Sequence, residues 1–67
     1  MKSEAFIIKT DNNSYVGMNN VIVTKLHLAI LYSDEMFVES ELKKITEEYI
    51  NTDYKFEIKT VEINIID

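Results

Sequence analysis

Four apolar residues, Val38, Leu42, Ile45 and Tyr49, stand at i, i+4, i+7 and i+11. That spacing puts them on one face of a helix, while Glu39, Glu41, Lys43, Lys44, Glu47 and Glu48 take the remaining surface. Just upstream, Ser33-Asp34-Glu35 offers a capping side chain followed by acids, which satisfies orphan amides and suits the positive end of a helix. The pattern predicts one amphipathic helix over residues 34–50, started by Ser33 and ended without glycine at Asn51-Thr52-Asp53. Met36 and Phe37 fall at its start, either folded over the same core or forming a hydrophobic margin.

The flanks of this helix read as strands. Glu4 to Thr10 is rich in β-formers and runs into the turn cluster Asp11-Asn12-Asn13-Ser14. Tyr15 to Met18 resumes an extended pattern, Asn19-Asn20 break it, and Val21-Ile22-Val23 begin another β-branched run. Gly17, the only glycine, lies inside the second strand, where it marks a bulge or a close backbone approach, because a phosphate cradle needs several glycines leading into a helix. Thr24 is placed to cap a helical turn over Lys25 to Leu28, and Ala29 to Tyr32 reads as a brief buried strand.

The final segment changes phase. Tyr54, Phe56 and Ile58 alternate with Lys55, Glu57 and Lys59, but after Thr60 the apolar positions become Val61, Ile63 and Ile65. A one-residue slip moves side chains to the other face, so a bulge or break near Thr60 is expected; without it the tail offers a second apolar face to a partner. Thirteen extended residues would reach ~43 Å, more than so small a domain covers, so the tail is expected to bend or to protrude as an edge. Together these segments predict one compact α+β domain over 1–67: an antiparallel sheet of three or four strands with one amphipathic helix packed on it, in ββ(β)αβ order.

Composition narrows the function classes. With 67 residues and no cysteine, the chain has neither disulfides nor thiolate metal sites to support a small core, which leaves self-association. No apolar run is long enough to span a bilayer and Met1-Lys2-Ser3-Glu4 has no signal-peptide character, so a cytoplasmic location in a bacterial cell is expected, with no membrane partner. Net charge is −5 and all seven basic residues are lysines. Without the planar fork of arginine, direct nucleic-acid binding is not expected. Lysine in place of arginine, with abundant Asn and Ile, is also what an AT-rich genome encodes.

Chemistry-bearing residues are few. His27 is the sole histidine, no cysteine exists, and Ser3, Ser14, Ser33 and Ser40 sit where turns, ends or helix caps explain them, so no nucleophile and base assemble and a non-enzymatic chain is expected. Glu35 and Glu39 share the i, i+4 spacing of a cation pair, which on a helix of alternating charge reads as a solvated face; no metal or other cofactor is expected. The sharper feature is charge: residues 34–50 hold six acids and two lysines. Glu39, Glu41, Glu47 and Glu48 are therefore the candidate binding residues, forming an acidic helix face that occupies a basic groove on another protein or imitates nucleic-acid phosphates. Tyr15, Tyr32, Tyr49 and Tyr54 cannot all bury their hydroxyls in one core, so some are expected at a surface.

Set end to end, Phe6-Ile7-Ile8-Lys9, Tyr15-Val16, Thr24 to Tyr32 with Leu, Ala29 and Leu between, the capped helix and Tyr54-x-Phe-x-Ile running into Val61-Glu62-Ile63 form a pattern. It resembles a loose group of short, mostly uncharacterised proteins encoded by phages and prophages of low-GC Gram-positive bacteria. The resemblance implies a setting in which small acidic proteins bind and block a host enzyme or a defence system, of the restriction, CRISPR or nucleotide-signalling type. It brings no site residue with it. The expectation is therefore a protein-binding inhibitor of a bacterial target that also self-associates. The alternatives are an oligomer that binds a small ligand such as a nucleotide through tyrosines, lysines and backbone amides, and an accessory structural protein.

Overall fold

The computed structural model describes residues 2–64, with the side chains of Lys2 and Asn64 left aside. Ile65, which continues the phase-shifted apolar series, lies outside the described residues. The elements are β1 (Lys2–Thr10), β2 (Tyr15–Val16), β3 (Ile22–Val23), α1 (Glu35–Glu48) and β4 (Phe56–Asn64), with short 3-10 turns at Met18–Asn20 and Leu26–Leu28. The strands form one antiparallel sheet in the order β3-β2-β1-β4, with α1 packed on one face. This is the expected α+β architecture, with four strands.

Local chemistry explains the turns. After β1, buried Thr10 accepts from the Ser14 amide at 3.1 Å through Oγ1, while its own amide donates to the Ser14 carbonyl at 2.8 Å. Asn13 takes the left-handed backbone there, as do Asn19 and Asn20 between β2 and β3, a conformation that asparagine tolerates best among non-glycine residues. Gly17 is needed for space and not for φ: a Cβ there would stand 3.0 Å from the Leu28 carbonyl oxygen and 3.1 Å from Val23 Cγ1. The close approach read from its position in the strand is what the structure contains.

The core lies between α1 and the sheet. Ile8, Val16, Tyr32, Val38 and Ile45 are buried, and Phe6, Ile22, Ile30, Leu42, Tyr49, Phe56 and Ile58 pack against them. Each such side chain removed from water contributes roughly 1.5–3 kcal/mol. The stripe Val38, Leu42, Ile45, Tyr49 is thus the core face of the helix, as its spacing requires. The cap differs from expectation: Asp34, not Ser33, holds the N-cap, its Oδ1 accepting the Met36 amide at 2.9 Å. A carboxylate satisfies that orphan amide and also opposes the positive helix end, an advantage a hydroxyl lacks. Thr24 caps nothing either; Lys25 precedes the 3-10 turn with no side-chain bond. Ala29 to Tyr32 is extended but joins the sheet only through bridges of Ala29 to Gly17 and of Tyr32 to Phe6, with Leu31 exposed.

The expected bulge near Thr60 does not occur. Register runs unbroken from Lys2↔Asn64 to Thr10↔Phe56. With alternation intact, Phe56 and Ile58 face the helix beside Thr10 and Ile8, while Val61 and Ile63 turn to the reverse face beside Ala5 and Ser3. The phase flip is absorbed because β1 is apolar on both sides: Ile8 is buried under α1, and Ile7 and Ala5 are buried outside that cluster. Over the described residues the tail is an edge strand, paired with β1 along its whole length and not protruding.

Candidate interaction surfaces

The acids proposed from sequence do not line one face. At 100° per residue, Glu39 and Glu41 stand roughly 160° apart around the helix axis and Glu39 and Glu48 about 180° apart. Glu41 and Glu48, seven residues apart, share the flank toward β2 and β3. There Glu41 pairs with Lys44 at 3.6 Å, and a Glu48 carboxylate oxygen accepts from Asn20 Nδ2 at 3.2 Å. Tyr49 reinforces the same junction by donating from its hydroxyl to the Asn20 carbonyl at 2.8 Å. Of the two carboxylates, only Glu48 links α1 to another segment, while the Glu41–Lys44 pair lies within the helix. Glu39 and Glu47 are exposed elsewhere on the helix. Negative charge is spread over the solvent-facing half of α1 and does not run in a row as phosphates do.

Helix geometry selects a different patch. Met36 lies two residues from Val38, so it points roughly 160° away from the core stripe, and it is 79% exposed. Phe37 is 53% exposed and rests one side of its ring on Tyr32, with centroids 5.8 Å apart. Glu35 and Glu39 flank Met36 at i−1 and i+3, and the Asp34 carboxylate completes the helix start. Met36 thus forms the hydrophobic margin, while Phe37 divides between the two roles, one side of its ring on core residue Tyr32 and the rest exposed. Sequence periodicity carries this signal only negatively: Met36 and Phe37 are the large apolar residues of the first turn that fall off the stripe.

The tyrosines divide as the composition demands. Tyr32 is buried, and burial, followed by the nearby Glu41 carboxylate, holds its hydroxyl pKa above the ordinary 10.0. Tyr49, Tyr54 and Phe56 form an aromatic cluster at the helix-to-β4 connection with centroids 5.7–5.9 Å apart, and Tyr15 is half-buried on β2. His27 is exposed in the 3-10 turn between Leu26 and Leu28, which are exposed as well.

A shallow groove of about 300 Å³ lies where the β1–β2 turn meets the connection into β4, lined by Asp11, Asn12, Asp53 and Tyr54. Two carboxylates on its wall oppose a phosphate-bearing ligand. Among the described residues no three His, Cys, Asp or Glu side chains converge as a metal site, and Glu35 and Glu39 gain no third ligand. No helix among them is long and apolar enough to cross a membrane. The chain matches no protein-family model, no curated protein and no solved structure.

Proposed function

We propose that this chain is a small protein-binding module of a phage or prophage, acting in the bacterial cytoplasm to inhibit a host enzyme or defence system by occupying its surface. The start of α1 makes the contact. Met36 and Phe37 insert as apolar anchors, and Asp34, Glu35 and Glu39 face lysines or arginines at the rim of the target's pocket. The observation that carries the reading is the exposure of two large apolar side chains, one of them aromatic, on a rigid capped helix turn surrounded by carboxylates. Methionine and aromatic residues are enriched at interfaces, while rim charges steer approach and set partner choice. The role is steric and non-catalytic, and no nucleic acid, membrane or cofactor takes part. Among the four acids read from sequence, this surface uses Glu39; Glu47 lies on the solvent side, Glu41 pairs with Lys44 within α1 and Glu48 contacts Asn20.

Affinity capture from a lysate of a low-GC Gram-positive bacterium, with the full chain immobilised, tests the reading. The wild-type chain should retain a specific partner, and Met36→Ser with Phe37→Ser should lose it, weakening affinity about tenfold or more while circular dichroism shows a folded chain. Glu39→Gln should slow association, and Glu41→Gln should not. Undiminished capture by the double variant would overturn the assigned surface; a wild-type chain that retains no protein would overturn the function.

A further inference from the structure

The free edge of β4 is complementary to itself. We propose that the chain forms a two-fold dimer by antiparallel pairing of β4 with β4 of a second copy, in the register that places Ile58 against Ile58. Among the described residues the strand order leaves β4 with a single neighbour, and its nine residues contrast with the two residues of β3 at the opposite edge.

Hydrogen-bond phase identifies the groups this edge presents. Phe6 turns both its amide and its carbonyl to Tyr32, at 2.7 and 2.8 Å, so it bonds away from β4 and Phe6↔Thr60 is a non-hydrogen-bonded pair. The Asp11 amide, one residue beyond Thr10 and so of opposite phase, donates to the Lys55 carbonyl at 3.1 Å. By alternation Phe56, Ile58 and Thr60 aim their N–H and C=O groups at the free edge.

Side-chain charge then selects the register. A two-fold axis perpendicular to the sheet keeps each side chain on its own face, so the axis must fall on a residue of β4. Centred on Lys59, it opposes lysine to lysine; centred on Glu57, it opposes glutamate to glutamate and Lys55 to Lys59. Centred on Thr60, it sets Ile58 against Glu62 and Lys59 against Val61, and centred on Val61 it sets Lys59 against Ile63. Centred on Ile58, it sets Glu57 against Lys59 twice on the reverse face, with Ile58 against Ile58 and Phe56 against Thr60 on the helix side. An axis on Phe56 would also set Lys55 against Glu57, but there every partner of residues 57–64 lies before the start of β4; among registers that pair β4 with β4 over several residues, only the one centred on Ile58 joins opposite charges. The two ion pairs occupy non-hydrogen-bonded positions, where facing side chains approach most closely, and Glu57 would sit between the second copy's Lys59 and its own Lys9, now 3.6 Å away.

The geometry has room for the pair. Residues 56–60 of the two copies would exchange about six backbone hydrogen bonds. Because α1 lies over β1 and β4, the two helices would stand about two strand spacings apart, roughly 10 Å, a distance at which helices pack. The assembly closes on itself and leaves only the short β3 strands at its margins, so it does not propagate. It also supplies the staple that a cysteine-free chain of 67 residues otherwise lacks.

Sedimentation equilibrium of the full chain from 5 µM to 1 mM (about the range that a transient edge-paired dimer needs) tests the proposal. The wild type should dimerise. Lys59→Glu and Glu57→Lys should each raise the dissociation constant at least tenfold while circular dichroism shows a folded chain. An equimolar mixture of these two variants should regain dimers, because one copy then carries only glutamates at positions 57 and 59 and the other only lysines. A monomeric wild type at the highest concentration, single variants that dimerise as well as the wild type, or a mixture that stays monomeric would each overturn it. So would a monomeric chain whose captured lysate partner is lost with Lys59→Glu, which would make the edge a receptor for a foreign strand. The proposal stands apart from the target-binding reading: Met36→Ser with Phe37→Ser should dimerise normally.

Discussion

The two halves of β4 solve different problems with the same backbone. Phe56 and Ile58 lie under α1, joined by Thr10 and Ile8 across the ladder, whereas Val61 and Ile63 face the other way beside Ala5 and Ser3. The first half is core in the ordinary sense, sealed by a helix. The second half contributes to a face that no helix among the described residues covers, next to buried Ile7 and Ala5 and exposed Leu31. A strand can therefore change its apolar phase without a bulge when its neighbour is apolar on both sides.

The largest effect should come from the sealed side. Ile8→Ala empties a site in the helix-side core and is expected to cost about 3 kcal/mol, a large part of the stability of so small a domain. Val61→Thr, on half-buried β4, should cost about 1 kcal/mol or less in urea denaturation. If the two costs were equal, the reverse face would be a second core and the contrast would fail.

A smaller effect sharpens the contrast at the helix start. Asp34→Ala should lower stability by about 1 kcal/mol, since it frees the Met36 amide and removes a favourable charge, while Ser33→Ala should be nearly neutral. Thermal midpoints of the two variants check this, and the reverse ranking would return the cap to Ser33.

The smallest effect is confined to alkaline solution. Burial and then Glu41 raise the Tyr32 pKa in the folded chain, so its contribution is fully present below the ordinary value of 10.0. Above that pH the unfolded chain releases its phenolic proton first, and stability is lost as pH rises through the folded pKa. A melting series from pH 8 to about 11.5 should therefore fall less steeply for Tyr32→Phe than for the wild type. Equal slopes would show that this hydroxyl is not protected by the core.

Legibility of the sequence followed the range of the physics. Helix α1 was readable because its stripe repeats within a few residues, and Gly17 was readable because a lone glycine inside a strand has few other uses. The choice between Ser33 and Asp34 turned on which side chain reaches the Met36 amide, which depends on backbone direction at the helix start. The spread of the acids was not legible from a count of charges over residues 34–50, which ignores angle: Glu39, Glu41, Glu47 and Glu48 are distributed over the solvent-facing half of the helix, with Glu48 in contact with Asn20 and Glu41 with Lys44 of the same helix.

By itself the sequence determined the element types, the core stripe of the helix and the fact that the last strand must change phase, because propensity and periodicity act between near neighbours. Only the tertiary structure decided that the change is met by a two-sided β1 without a bulge, that β4 takes the edge, and that Met36 and Phe37 stand exposed. Each depends on which distant segment lies alongside, and register and strand order arise from residues some 50 positions apart, such as Ile8 and Ile58.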